Sequence, residues 1–418
     1  MAIVSVCGFE CGNGLGAGSA FSPHWTFTGN TTGHATPAPQ AGLQKLIVRD
    51  QAGARPSAAY IIPSAAVCVL RAYLNINSAP TVDTVALGFV SVGSTAHCGL
   101  GFNTADSKWY PAYDDGTAVT FGAAGITIAT GSWTLVDIRV DFTANPWTID
   151  VTVAGSSLTQ LTRGVAATTS TSCILGQHSA STNVWGVNDR LDFDSVLIGN
   201  ASGDYPIGAG TVTPHSPNRD GTHTGTGNNF QRGNAGTSIV AGVTDAYLLV
   251  DELPFTSSPG TSDFISQVTS SPTEYCEIGF ASTTTLTAPQ AVALVLGFHQ
   301  GSTARANMKW EWNDGGTTAL IVSETASGSS GLRLLSYHYA SRPSGGAWTS
   351  SVFNSLLLRF GYSTDANPDV YFDAAVIEAG FSSTGGGAIE IVGAASGLGA
   401  LSVSAPGFTM WTPIMAPI

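Results

Sequence analysis

Trp133-Thr134-Leu135-Val136-Asp137-Ile138-Arg139-Val140-Asp141-Phe142, then Trp147-Thr148-Ile149-Asp150-Val151-Thr152-Val153, alternate apolar and polar residues at period two. Aromatic and β-branched side chains fill the alternate places, as they do on a pleated, half-buried surface. Asn145-Pro146 stands between the two runs, where a hairpin needs its turn. Asp115-Gly116, Ala154-Gly155 and Gly315-Gly316 punctuate similar runs elsewhere. Long amphipathic stretches of Leu, Ala, Glu and Lys are missing, and only Lys45, Lys108 and Lys309 are lysines. A helical bundle is thereby excluded, and the expected class is all-β, an antiparallel sandwich or barrel.

The chain has 418 residues, enough for two or three domains with real cores. Fifty glycines and a charged fraction of 10% leave Ser, Thr, Asn and Gly to build the surface. A formal charge of −13 offers no basic stripe, which removes nucleic acid and anionic membranes as partners. An apolar fraction of 43% with nine tryptophans excludes a disordered chain. No apolar run reaches the length of a spanning helix, and Ala2–Cys7 lacks the basic flank of a signal peptide, so no membrane insertion and no secretion by that route are expected. The six cysteines (Cys7, Cys11, Cys68, Cys98, Cys173, Cys276) are scattered without C-x-x-C and read as buried thiols. No metal or cofactor site follows from them; a structural calcium would be compatible, but no motif supports one.

Short motifs recur in order. Leu87-Gly88-Phe89 returns as Leu296-Gly297-Phe298, Lys108-Trp109 as Lys309-Trp310, and Arg139 with Ala144-Asn145-Pro146 as Arg359 with Ala366-Asn367-Pro368. Each half closes on an aromatic-Asp strand, Leu191–Ile198 and Val370–Ile377, and Phe372-Asp373 also matches Ile149-Asp150. The expected organisation is a first jelly roll over 1–200, a second over 201–384 with a polar lead-in at about 208–236, and a Gly/Ala-rich extension over 385–418. The apolar end of that extension needs cover, from its own domain or a neighbouring subunit.

The main hydrolase and nucleotide templates are missing: G-x-S-x-G, H-E-x-x-H and a phosphate loop do not occur. No glutamate has an acid two positions on, as a glycosidase pair on one strand face would require. Asp192-x-Asp194 has the spacing but lies in a closing strand, where turn and capping roles are the plainer reading. Arg219-Asp220-Gly221-Thr222-His223, near His215, has the composition of a turn rather than of a His/Asp site. Two aromatic-acidic loops stand out: Trp109, Tyr110, Tyr113, Asp114 and Asp115, and Trp310, Trp312, Asn313 and Asp314. Rings beside carboxylates and amides bind sugars, which makes these the candidate carbohydrate-binding residues. The alternation equally allows the tryptophans to be core, with the Asp-Gly steps as hairpin turns.

Cys7-Gly8-Phe9-Glu10-Cys11-Gly12 resembles the first strand of concanavalin A-like, laminin-G-like domains, and Leu191-Asp192-Phe193-Asp194-Ser195-Val196 is similar to their final strand. Asp204-Tyr205-Pro206-Ile207-Gly208, Pro217–His223, Asn229-Phe230-Gln231-Arg232 and Asp251-Glu252-Leu253-Pro254 together resemble tailed-bacteriophage virion proteins of the minor tail type. The resemblance implies a non-enzymatic, tail-associated structural protein located in the virion and assembled in the host cytoplasm. Its implied partners are other virion proteins, copies of itself and host-surface glycan. A capsid decoration or head-fibre protein is the alternative, and a glycan hydrolase the second alternative.

Overall fold

The structure is a computed structural model, and it describes residues 3–7, 25–28, 30–33, 45–50, 53, 55–93, 96–224, 230–232, 246–251, 264–267, 271, 273–282, 288–300, 305–314, 317–326, 333–361 and 370–382. The expected extension 385–418, Cys11, Gly315-Gly316, Asn229, Glu252–Pro254 and the Ala366–Pro368 motif lie outside them. The described chain is strand throughout, save two short 3-10 turns and one helical turn at Ser350–Asn354.

Four antiparallel sheets form two two-layered units. The first sheet runs Ser156–Ser157, Trp147–Val153, Trp133–Asp141, Val67–Ser78, Arg190–Gly199, Leu46–Arg49, Asn30–Gly33, with Ile3–Cys7 also on Arg190–Gly199 and Leu161–Arg163 on Trp147–Val153. Its partner runs Val119–Phe121, Lys108–Asp114, His97–Asn103, Thr84–Ser91, Ser170–Gly176, Ser57–Ala65, Trp25–Thr28. The hairpin read from the sequence is there: Val136 pairs with Val153 and Ile138 with Val151, and all four are buried. Those residues face Leu87, Phe89 and Leu100 of the second layer in one core. Gly88 lies opposite Gly99 because the strands approach too closely for a side chain: a Cβ on either would meet a backbone oxygen at about 2 Å.

The second unit pairs the sheet Phe230–Arg232, Ile265–Gln267, Val370–Ser382, Ala291–Gln300, Arg333–Tyr339, with Gly210–His215 on Val370–Ser382, against the sheet Pro217–Asp220, Tyr275–Phe280, Leu357–Gly361, Arg305–Asn313, Thr318–Ala326. Strand for strand, this connectivity repeats the first unit. Tyr275–Phe280 lies between Pro217–Asp220 and Leu357–Gly361 as Ser57–Ala65 lies between Trp25–Thr28 and Ser170–Gly176. By the same order, Arg305–Asn313 takes the place of Thr84–Ser91, and Val370–Ser382 that of Arg190–Gly199. The duplication is therefore one of topology, but most motif pairs sit one strand out of step. Lys309-Trp310 corresponds to the Leu87-Gly88-Phe89 strand, not to Lys108-Trp109; only the closing aromatic-Asp strands coincide. Lys108–Asp114, Val119–Phe121, Trp147–Val153, Ser156–Ser157 and Leu161–Arg163 have no counterpart among the described strands of the second unit.

A small apolar seam of Val69, Leu197, Ile207, Val212, Ala291 and Ala293 joins the units. The connecting segment docks on the first sheet instead of running free. Asp137 Oδ1 accepts from the amides of Ile207 and Gly208 at 3.0 and 3.2 Å, and Tyr205 Oη meets Thr152 Oγ1 at 2.7 Å. Arg71, wholly buried in the seam, donates to the carbonyls of Ser195 at 3.2 Å and Phe381 at 3.4 Å. Burial lowers its guanidinium to about 10.

Candidate functional site

The tryptophans of the two aromatic-acidic loops are core residues. Trp109, Trp310 and Trp312 are 1%, 1% and 0% exposed. Trp109 lies against Phe102 at 5.1 Å, Trp310 between Phe360 and Phe372 at 5.4 and 5.0 Å, and Trp312 beside Tyr339 and Trp348. None offers a face to a sugar, and the expectation of stacking platforms there is corrected: period-two alternation turns these positions inward.

Their acids build turns. Asp114, buried, accepts from the Gly116 amide at 2.9 Å, the Thr182 amide at 2.9 Å and the Thr182 hydroxyl at 2.7 Å. Asp314 accepts from Ser344, Asn313 donates to Glu277 at 3.1 Å, and the Tyr110 hydroxyl donates to Asp106. Asp115 Oδ1 accepts from the Thr117 hydroxyl at 2.6 Å and the amides of Thr117 and Ala118, and these bonds hold its carboxyl below the usual carboxylate range.

The two remaining candidates are structural as well. Asp192 and Asp194 are fully buried, so they form no open catalytic pair. In the 219–223 turn, Asp220 accepts from the amides of Ala246 and Tyr247, and Thr222 N donates to Glu277 at 2.8 Å. His223 Nδ1 lies 3.3 Å from Cys276 Sγ, and its Nε2 lies 3.7 Å from Asp220. This Cys-His-Asp order is not a nucleophile. Cys276 is fully buried, and burial raises its thiol well above the ordinary range. Cys68, Cys98, Cys173 and Cys276 are free thiols and fully buried, and Cys7 is half-buried. Among the described residues, no three His, Cys, Asp or Glu side chains are arranged to hold a metal ion, and no helix is long and apolar enough to cross a membrane.

Two of the sequence candidates, Tyr113 and Asp115, do come together, around a residue the sequence reading passed over. Arg163 ends the short strand Leu161–Arg163 and lines a cleft of about 290 Å³ with Trp147, Val92, Gly93, Val165 and Thr168. Its guanidinium carbon stands 5.1 Å from the Trp147 ring and 4.9 Å from the Tyr113 ring, while Nη2 lies 3.9 Å from Asp115 Oδ2. Trp147, 3% exposed, is fixed by its indole N–H on the Ala166 carbonyl at 2.8 Å and serves as a bed for the arginine. Nη1 is buried without a hydrogen-bond partner. A guanidinium held on two ring faces at the lining of a cleft can pair with an anion there. Every strand that shapes the arginine's surroundings, from Lys108–Asp114 to Leu161–Arg163, belongs to the set without counterpart in the second unit. The available signal was scarcity: with 15 Lys and Arg in the chain, a basic residue two turns after a Trp strand is conspicuous.

No family model matches the chain, and no curated protein does. Solved structures with some similarity include a mutant Trypanosoma rangeli sialidase displaying trans-sialidase activity, with 14% identity over 48% of this chain and 31% of that one and a TM-score of 0.34. A second sialidase matches at 12% identity over 43% of this chain and 17% of that one, with a TM-score of 0.30. A protein of unknown function from Shewanella oneidensis MR-1 matches at 12% identity over 43% and 78%, with a TM-score of 0.25. The chain thus spans less than a third of either sialidase. The expectation of a non-enzymatic phage tail protein is corrected on that finding: these three include two sialidases and no virion protein.

Proposed function

We propose that this protein acts on glycans in the manner of a glycan hydrolase, with the Arg163 cleft taking the carboxylate of an acidic sugar. The observation that carries the reading is the Arg163 guanidinium, laid on the Trp147 and Tyr113 rings by a residue that lines the cleft. An arginine fork pairs with a carboxylate through two parallel hydrogen bonds. The cleft volume is at the small end for ligand pockets, which run from about 300 to 1,000 Å³, and suits one sugar ring. Val92 and Val165 supply apolar wall for a pyranose face. Asp115, held ionised by its hydrogen bonds and 3.9 Å from Arg163 Nη2, is the carboxylate we assign to stabilise the positive charge that develops when a glycosidic bond breaks.

Calorimetric titration with glucuronate and N-acetylneuraminate, together with release of a fluorophore from their glycosides, tests both parts. Binding that falls at least about tenfold in Arg163→Lys supports the site, because a lysine keeps the charge and loses the fork. Fluorophore release that disappears in Asp115→Asn with binding retained supports the hydrolytic role. Absence of binding by the wild-type chain overturns the reading, and binding without release removes its hydrolytic half.

A further inference from the structure

The outer face of the first sheet holds a charged group that the cleft does not use. Lys45 is fully buried, and its Nζ lies 2.6 Å from Asp192 Oδ2. The same oxygen accepts from Asn77 Nδ2 at 2.7 Å. Arg190 holds the carboxylate from the other side, with Nε 2.9 Å from Oδ1 and Nη2 3.1 Å from Oδ2. The register explains the meeting: Asp192 lies between Ile47 and Asn75, Lys45 stands two residues before Ile47, and Asn77 is the residue that the β-bulge between Ile76 and Ser78 leaves over, so both side chains reach the carboxylate. Burial lowers the ammonium of Lys45, which favours the neutral, nucleophilic amine.

We infer that Lys45 and Asn77 form an intramolecular isopeptide bond, with Asp192 as the proton carrier. Asp192 takes a proton from the Lys45 ammonium, and the freed lone pair attacks Cγ of Asn77. Asp192 returns that proton to Nδ2 as the Cγ–Nδ2 bond breaks. Ammonia leaves, taking with it the second proton shed by the new amide nitrogen, and Asp192 is again a carboxylate. The step exchanges one amide for another and calls for no oxidant or cofactor. Asn77 Nδ2, the leaving nitrogen, is the atom the structure holds on Asp192, and the Asn77 side chain is exposed, which opens a way out for ammonia. The product ties the residue ahead of Leu46–Arg49 to the end of Val67–Ser78 across Arg190–Gly199.

Mass spectrometry of the purified full chain tests this. The expected result is a digest peptide in which Lys45 is branched to Asn77, lighter than the two separate peptides together by one ammonia, about 17 Da. Chains with Asn77→Ala, a rim substitution, and with Lys45→Met, should yield unbranched peptides. Wild-type peptides carrying free Lys45 and intact or deamidated Asn77 would overturn the inference. A branch from Lys45 to Asp192, marked by loss of water, would overturn it too.

Discussion

Arg71 of the first unit donates from Nη1 to the main-chain carbonyl of Phe381 in the second, 3.4 Å away, while Nη2 reaches Ser195 of its own unit. One guanidinium thus stitches both units from a fully buried site. Removing it takes away the cation that offsets the burial of Asp137 and a donor to each of two carbonyls in the seam. Arg71→Ala is expected to cost about 3–5 kcal/mol, the usual loss when one partner of a buried charged group is deleted. Scanning calorimetry should show one transition for the wild type and two, with the seam opening first, for the variant.

The buried tryptophans separate packing from binding. Trp310→Ala empties a site walled by Phe360 and Phe372 and should cost about 3–5 kcal/mol in urea unfolding. Acidic-sugar affinity in the Arg163 cleft, measured by calorimetry on the fraction that stays folded, should be unchanged, because Trp310 lies in the other unit's core.

Acid should weaken the fold before the carboxylates titrate. Burial lowers His97, His178, His215 and His223, so each is neutral when folded and takes a proton on unfolding once pH drops below about 6.5. Stability is complete above that value and falls as pH decreases through it, by up to about 1.4 kcal/mol per unit for each histidine. Asp137 acts in the opposite sense, one group against four. His97 is fully buried with neither ring nitrogen partnered, so His97→Phe should flatten the slope between pH 5.5 and 6.5 by one histidine's share. Urea midpoints at three pH values measure it.

Gly88 and Gly99 make a crossing point with no room. Gly99→Ala would place a methyl 2.1 Å from the Leu87 carbonyl oxygen, so strands Thr84–Ser91 and His97–Asn103 would have to part. The expected loss is about 2 kcal/mol or more by chemical denaturation, well beyond the roughly 0.5–1 kcal/mol usual for a glycine replaced without a clash.

Strand content was legible because alternation is local: Val136, Ile138 and Val140 announce a buried face without reference to anything distant. Duplication was legible in outline, yet Lys108-Trp109 and Lys309-Trp310 were equated although they occupy different strands of the plan. Short motifs record residue preferences of strands in general, whereas equivalence is a matter of which strands pair. Arg163 escaped notice because its meaning depends on Trp147 and Tyr113, 16 and 50 positions earlier, meeting it across two sheets. Lys45 and Asn77 escaped for the same reason, since Asp192 unites them from more than 100 positions away.

The extra strands of the first unit give the protein an internal control. Among the described residues the second unit keeps the common connectivity without the strands that seat Arg163, so it presents the shared scaffold without that cleft. In the first unit the additional strands extend the outer edges of both sheets and leave the shared pairing order intact. A designer could follow the same route, moving the segment that runs from Trp147 to Thr168 onto Arg333–Tyr339, which ends its sheet among the described strands.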